Sequence, residues 1–107
     1  MTFSESALVT VLATPKLATT DWDAFVAAHP SGHLLQTSAW AELKARVGWQ
    51  AERVALAESG RITAGAQVLL RRLPWGQTLA YVPKGPVVDW RNAAQARDLL
   101  AALREAI

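Results

Sequence analysis

A chain of 107 residues, 51% of them apolar, holds enough material for one compact core and too little for two. Eleven basic and nine acidic residues are interspersed so that Arg71-Arg72 is the one basic dipeptide, which excludes a nucleic-acid-binding stripe. The absence of cysteine excludes disulfides, thiolate nucleophiles and thiolate metal sites, and no apolar run approaches the roughly 20 residues that span a bilayer.

Met1 to Ser6 lacks a cationic leader and Ala7 to Ala13 is too short for a signal core, so a cytoplasmic protein is expected. Ala7 to Ala13 reads as a first strand at or near a sheet edge, stopped by Pro15. Thr20 with Asp23 resembles a capping box for a helix to about Ala28 with Trp22, Phe25 and Val26 on one face, broken by His29-Pro30-Ser31-Gly32. Thr37 or Ser38 caps a second helix whose Trp40, Leu43 and Val47 form its predicted apolar face, and Gly48 is placed to end it.

Trp49 to Ala57 follows as a strand, and Glu58-Ser59-Gly60-Arg61 as a hairpin turn. Ile62, Ala64, Ala66, Val68 and Leu70 then alternate with Thr63, Gly65, Gln67, Leu69 and Arg71, the period-two pattern of a strand with one buried face. Pro74 to Gln77 turns the chain into a strand from Thr78 to Val82, and Val87-Val88 continues it past Pro83 and Pro86, which remove two ladder donors. Asn92 with Gln95 starts a last helix with Ala96, Leu99, Leu100, Leu103 and Ile107 as its stripe. That helix is still periodic at Ile107, which predicts a portion of a longer domain.

His29 and His33 have a zinc-helix spacing, but Pro30 and Gly32 lie between them, so loop histidines are expected and no metal is predicted. No G-x-S-x-G elbow supports a serine hydrolase, and no P-loop or dinucleotide fingerprint is present. Arg61 to Ala66 (RITAGA) misplaces the glycine that a pyrophosphate-cradling turn needs and sits in a strand. No cofactor is predicted.

What remains is a binding surface. Lys44 is a lone cation on the second helix, one turn from Trp40, and Lys84 sits in a loop stiffened by Pro83 and Pro86. Two converging ammonium groups suit a diphosphate, whereas both as solvated surface is the plainer alternative. Gln36, Trp40 and Tyr81 are candidates to line the same cleft, although Trp40 and Tyr81 suit a core equally well.

Gln36-x-x-x-Trp40-x-x-x-Lys44 followed by Tyr81-x-x-Lys84-Gly85-Pro86-Val87 resembles the N-terminal part of the FemABX-like aminoacyltransferases, the peptidoglycan bridge-building enzymes. The likeness covers about Trp22 to Val88. It implies an α+β, GNAT-like fold with a mixed or antiparallel sheet flanked by helices, residues 1–107 forming one N-terminal portion of a substrate-binding domain. It further implies transfer of an amino acid from aminoacyl-tRNA to the stem peptide of UDP-MurNAc-pentapeptide or lipid II, at the inner face of the membrane. Lys44 falls at the lysine that such enzymes place on the nucleotide diphosphate, and Lys84 matches by motif. No general base can be named, and this chain alone is expected to be inactive. A small CoA-dependent acetyltransferase relative and a noncatalytic module that self-associates through an unfinished sheet edge stand as alternatives.

Overall fold

The computed structural model describes residues 9–14 and 16–106. Its elements follow the expected order: β1 (Val9–Ala13), α1 (Thr19–Ala28), a 3-10 turn (Leu34–Gln36), α2 (Ser38–Ala45), β2 (Gln50–Glu58), β3 (Arg61–Arg72), β4 (Thr78–Tyr81) and α3 (Ala93–Ala106). Ala7, Leu8, Pro15 and Ile107, to which the sequence assigns roles in the first strand, its stop and the last helix, lie outside the described residues.

The strands form an antiparallel sheet in the order β1-β2-β3-β4, each hydrogen-bonded to its neighbour in sequence. Side chains alternate across a strand, so each face collects one parity of residue. One face carries Val54, Leu56, Ala64, Ala66 and Val68, and packs on Val88 and the Ala96, Leu99 and Leu103 stripe of α3. The other carries Ala55 under Leu17, Trp22 and Val26 of the α1 region. Helices on both faces explain why β3 is buried continuously from Ala64 to Leu69, where alternation alone predicts one buried side.

Three local expectations are corrected. The first helix is preceded by Ala18, which offers no side-chain cap, and Asp23 instead accepts hydrogen bonds from the Ser38 N–H (2.8 Å) and hydroxyl. A carboxylate is thereby placed at the positive end of α2, tying the two helices together. On α2 the buried residue is Ala41, while Leu43 and Val47 face solvent. Leu100 on α3 is also exposed, since it lies about 100° round the helix from the buried Leu99. Gly48, at φ +95, ends α2 as expected.

The centre of the molecule is a crossing point at Gly65. It pairs with Ala55 of β2 and, on its other side, exchanges two backbone hydrogen bonds with Val87 (2.9 and 2.7 Å). A Cβ at Gly65 would lie 2.5 Å from the Trp22 ring, so only glycine lets the indole rest on the strand. Trp22 is fully buried, and its indole N–H donates to the Gln36 carbonyl at 2.7 Å. Between the Leu69–Tyr81 pair and the Gly65–Val87 pair the β4 side runs through residues 82–86 against 66–68 of β3. The surplus loops out, and it carries Lys84.

Candidate functional site

Two groups of polar residues flank α2, one at each end. At its start, the Gln36 side chain is 1% exposed and spends both ends of its amide on backbone. Its Oε1 accepts from the His33 N–H (2.6 Å) and its Nε2 donates to the Gly85 carbonyl (3.0 Å). Gln67, equally buried, donates to the Thr37 carbonyl (2.9 Å) and accepts from the Arg53 guanidinium (2.7 Å). Buried amides are tolerated when both ends are bonded, and these two fix the approach of α2 to the sheet. Desolvation pushes the Arg53 pKa down, opposed by the nearby Asp23, Glu42 and Glu52 carboxylates.

The turn held by Gln36 is tight. The Gly85 N–H donates to the Val82 carbonyl at 3.0 Å, Pro83 follows Val82, and Lys84 sits at φ +63. Proline followed by a residue of positive φ is the pattern of a type II turn, which usually places glycine where Lys84 stands. Lys84 therefore holds a left-handed conformation that costs about 1 kcal/mol outside glycine, and its side chain is exposed.

At the other end of α2 lie Trp40, Lys44, Trp49, Arg71 and Tyr81. Helical spacing puts Lys44 one turn beyond Trp40, and its ammonium sits 5.5 Å from that ring and 5.9 Å from the ring of Trp49. One register step beyond the Gln50–Leu70 pair, the Arg71 guanidinium lies 5.4 Å from the ring of Trp49, the residue before β2. Trp49 also approaches Tyr81, with ring centroids 6.5 Å apart. Two cations thus rest on two indole rings, Trp49 serving both, and among the described residues neither cation forms an ion pair. The Trp40 indole N–H is buried and meets no acceptor among the described residues. Such a donor is costly to leave empty, by about 1–3 kcal/mol, and is suited to a ligand oxygen.

Of the five candidates, Trp40, Lys44 and Tyr81 are brought together around Trp49. Gln36 lies inside the protein, away from any cleft wall, and acts on Lys84 through the backbone of Gly85. Lys84 belongs to the far end of α2, whose eight residues span about 12 Å. Sequence reasoning left out Trp49 and Arg71. Their signal was present in the strand alternation, which puts Arg71 on the face of Gln67 and Leu69, but the partner register fixes only in the fold. An open groove of about 410 Å³ runs along the opposite flank of α2, lined by Ser38, Glu42, Ala45, Trp49 and Arg53 among others. His29 and His33 accept from the Ser31 and Leu35 N–H groups through Nδ1, so both shape the loop between the helices.

A profile of the FemAB family matches residues 17–107. The lipid II:glycine glycyltransferase of Staphylococcus aureus strain bovine RF122 / ET3-1 is 43% identical over 84 residues, 78% of this chain and 20% of that protein. The protein of the same name from strain USA300 is 42% identical over the same extent. A solved structure described as the crystal structure of FemX superimposes with a TM-score of 0.81 at 36% identity, over 91% of this chain and 24% of that one. The chain spans about a fifth of the length of the curated relatives it matches. On these matches and on an α+β antiparallel architecture shared with FemX, the chain belongs to the FemAB family.

Proposed function

We propose that residues 1–107 are an N-terminal portion of a GNAT-like domain that binds the peptidoglycan precursor for an aminoacyltransferase. The observation that carries this reading is the Lys44 ammonium held between the Trp40 and Trp49 rings, with Arg71 on the same Trp49. Cations with no carboxylate partner, on an aromatic floor, suit a diphosphate joined to a larger organic group. The buried Trp40 N–H supplies one more donor to that anion, and Tyr81 extends the floor. Lys84, presented by a turn that Gln36 anchors, contacts the acceptor further along its length.

The reaction assigned to the parent enzyme is attack by an amine of the precursor peptide on the ester carbonyl of aminoacyl-tRNA. The C–N bond forms, the ester C–O bond breaks, the tRNA hydroxyl leaves with a proton, and the ammonium formed by attack loses one. Positioning and charge stabilisation carry such a step. In this reading the aminoacyl-tRNA contacts and the reacting carbonyl belong to parts of the relatives outside the matched stretch. The assignment supports a cytoplasmic location, peripheral at the inner membrane face; among the described residues no helix is long and apolar enough to cross a bilayer. Self-association belongs to the proposal as well, since β4 is exposed at all four residues along a sheet edge.

The test is transfer of an amino acid to UDP-MurNAc-peptide or lipid II by the parent enzyme, read as a mass gain of one residue. With Lys44→Ala the loss in kcat/KM is expected to appear chiefly in KM for the precursor. A variant with unchanged KM for that substrate would remove Lys44 from the binding role.

A further inference from the structure

The sheet end below Lys44 is built differently from the rest of the surface. Pairing between β3 and β4 continues to Arg72–Thr78, whereas β2 joins β3 only from Gln50–Leu70. Among the described residues, the last rungs of the β3–β4 hairpin therefore project past β2 with no third strand beside them. Their tip is ordered: Leu73 N–H donates to the Gln77 carbonyl (2.7 Å) and Gly76 N–H to the Leu73 carbonyl (3.0 Å). Trp75 stands on this tip at 70% exposure, its indole N–H already bonded to the Gln77 side chain at 3.0 Å.

Beside the hairpin, at the same sheet end, lies the turn after α2. Gly48 is close to Arg71, since a Cβ there would meet its guanidinium at 3.4 Å. This turn presents Arg46 and Val47, the latter 57% exposed, and Leu79 adds a third exposed apolar side chain. Segments 46–50 and 71–79 contain Arg46, Arg71 and Arg72 and no acidic residue; the nearest acids in sequence are Glu42, a turn back on α2, and Glu52, inside the sheet. An indole with a satisfied N–H, flanked by arginines and small apolar contacts, has the composition of a membrane-interface anchor. A flat anionic surface complements it, and each basic residue near such a surface is worth about 1 kcal/mol.

We propose that the Leu73–Gln77 hairpin tip and the Arg46–Gly48 turn rest on the anionic surface of a lipid bilayer. This rests on the diphosphate reading of Lys44, since Trp49 and Arg71 join that site to the same sheet end.

The experiment is flotation of the native full chain with vesicles of phosphatidylcholine alone or with added phosphatidylglycerol. Binding to the anionic vesicles, released by salt, is expected, and Arg46→Gln with Arg72→Gln weakens it about 25-fold, fivefold for each charge. Brominated acyl chains quench part of the indole emission, and Trp75→Phe removes that part. No flotation with anionic vesicles at low salt, or equal flotation of the variants, overturns the proposal. So does a Trp75 already shielded from acrylamide without vesicles, which places another part of the protein on the tip, or shielding that grows with protein concentration, which places a second copy there. Binding of soluble UDP-MurNAc-peptide without vesicles separates the two levels. It is unchanged in the Arg46, Arg72 and Trp75 variants if both readings hold, and its insensitivity to Lys44→Ala would overturn the diphosphate reading whatever the vesicles show.

Discussion

The two ends of α2 use polar side chains in opposite ways. At its start Gln36, Gln67, Asp23 and the Trp22 indole all end on a partner, several of them backbone groups, and Trp22, Gln36 and Gln67 are buried. At its end Lys44 and Arg71 rest on aromatic faces without a carboxylate, and the buried Trp40 N–H has no acceptor among the described residues. A polar group with a complete set of partners stabilises the fold, and one without is available to a ligand. Substitutions at the first end should therefore cost stability, and those at the second should cost binding.

The largest effect is expected at the buried end. Trp22→Ala removes the ring that fills the space over Gly65 and the donor to Gln36, and should cost about 3–5 kcal/mol in a denaturant titration. Gly65→Val should come close to that by overpacking against Trp22. At the open end, Lys44→Ala should weaken precursor binding by about 10- to 100-fold, the range for a hydrogen bond to a charged group. Its unfolding midpoint should stay close to that of the parent. A stability loss as large as the binding loss would erase the contrast between the two ends.

Gln36→Leu tests the link between them. It strands the Gly85 carbonyl and the His33 N–H, so about 1–3 kcal/mol of stability should go, with weaker precursor binding if Lys84 needs its turn held. Lys84→Gly separates side chain from backbone, because glycine relieves the positive φ while deleting the ammonium. Stability should change by less than about 1 kcal/mol, and precursor affinity should fall. The smallest effect is expected at Asp89, whose pKa the Arg91 hydrogen bonds hold below the usual carboxylate value. A depressed carboxylate adds stability above its unfolded pKa and loses it as pH falls through the folded one. Both groups are exposed, so Asp89→Asn should leave the neutral-pH melting temperature unchanged within error.

The sequence made legible whatever depends on neighbours along the chain. The element order, the Gly48 stop, the Ser59-Gly60 hairpin and the Trp40–Lys44 pairing all follow from short-range spacing. Where several apolar rows compete for one surface, pattern could not choose: Leu43, Val47 and Leu100 are on plausible stripes and still face solvent. Nor could it place Arg71 over Trp49, which requires the register of β2 on β3, or show that Gln36 is a buried anchor. Those facts belong to tertiary packing.

The most direct test of the account is calorimetric titration of the native full chain and of Lys44→Ala with two ligands, UDP-MurNAc-peptide and the same peptide without its nucleotide diphosphate. The account predicts that the substitution weakens binding of the first at least tenfold and leaves the second unchanged, with both proteins melting together. Equal affinity of the two proteins for the diphosphate ligand would contradict it.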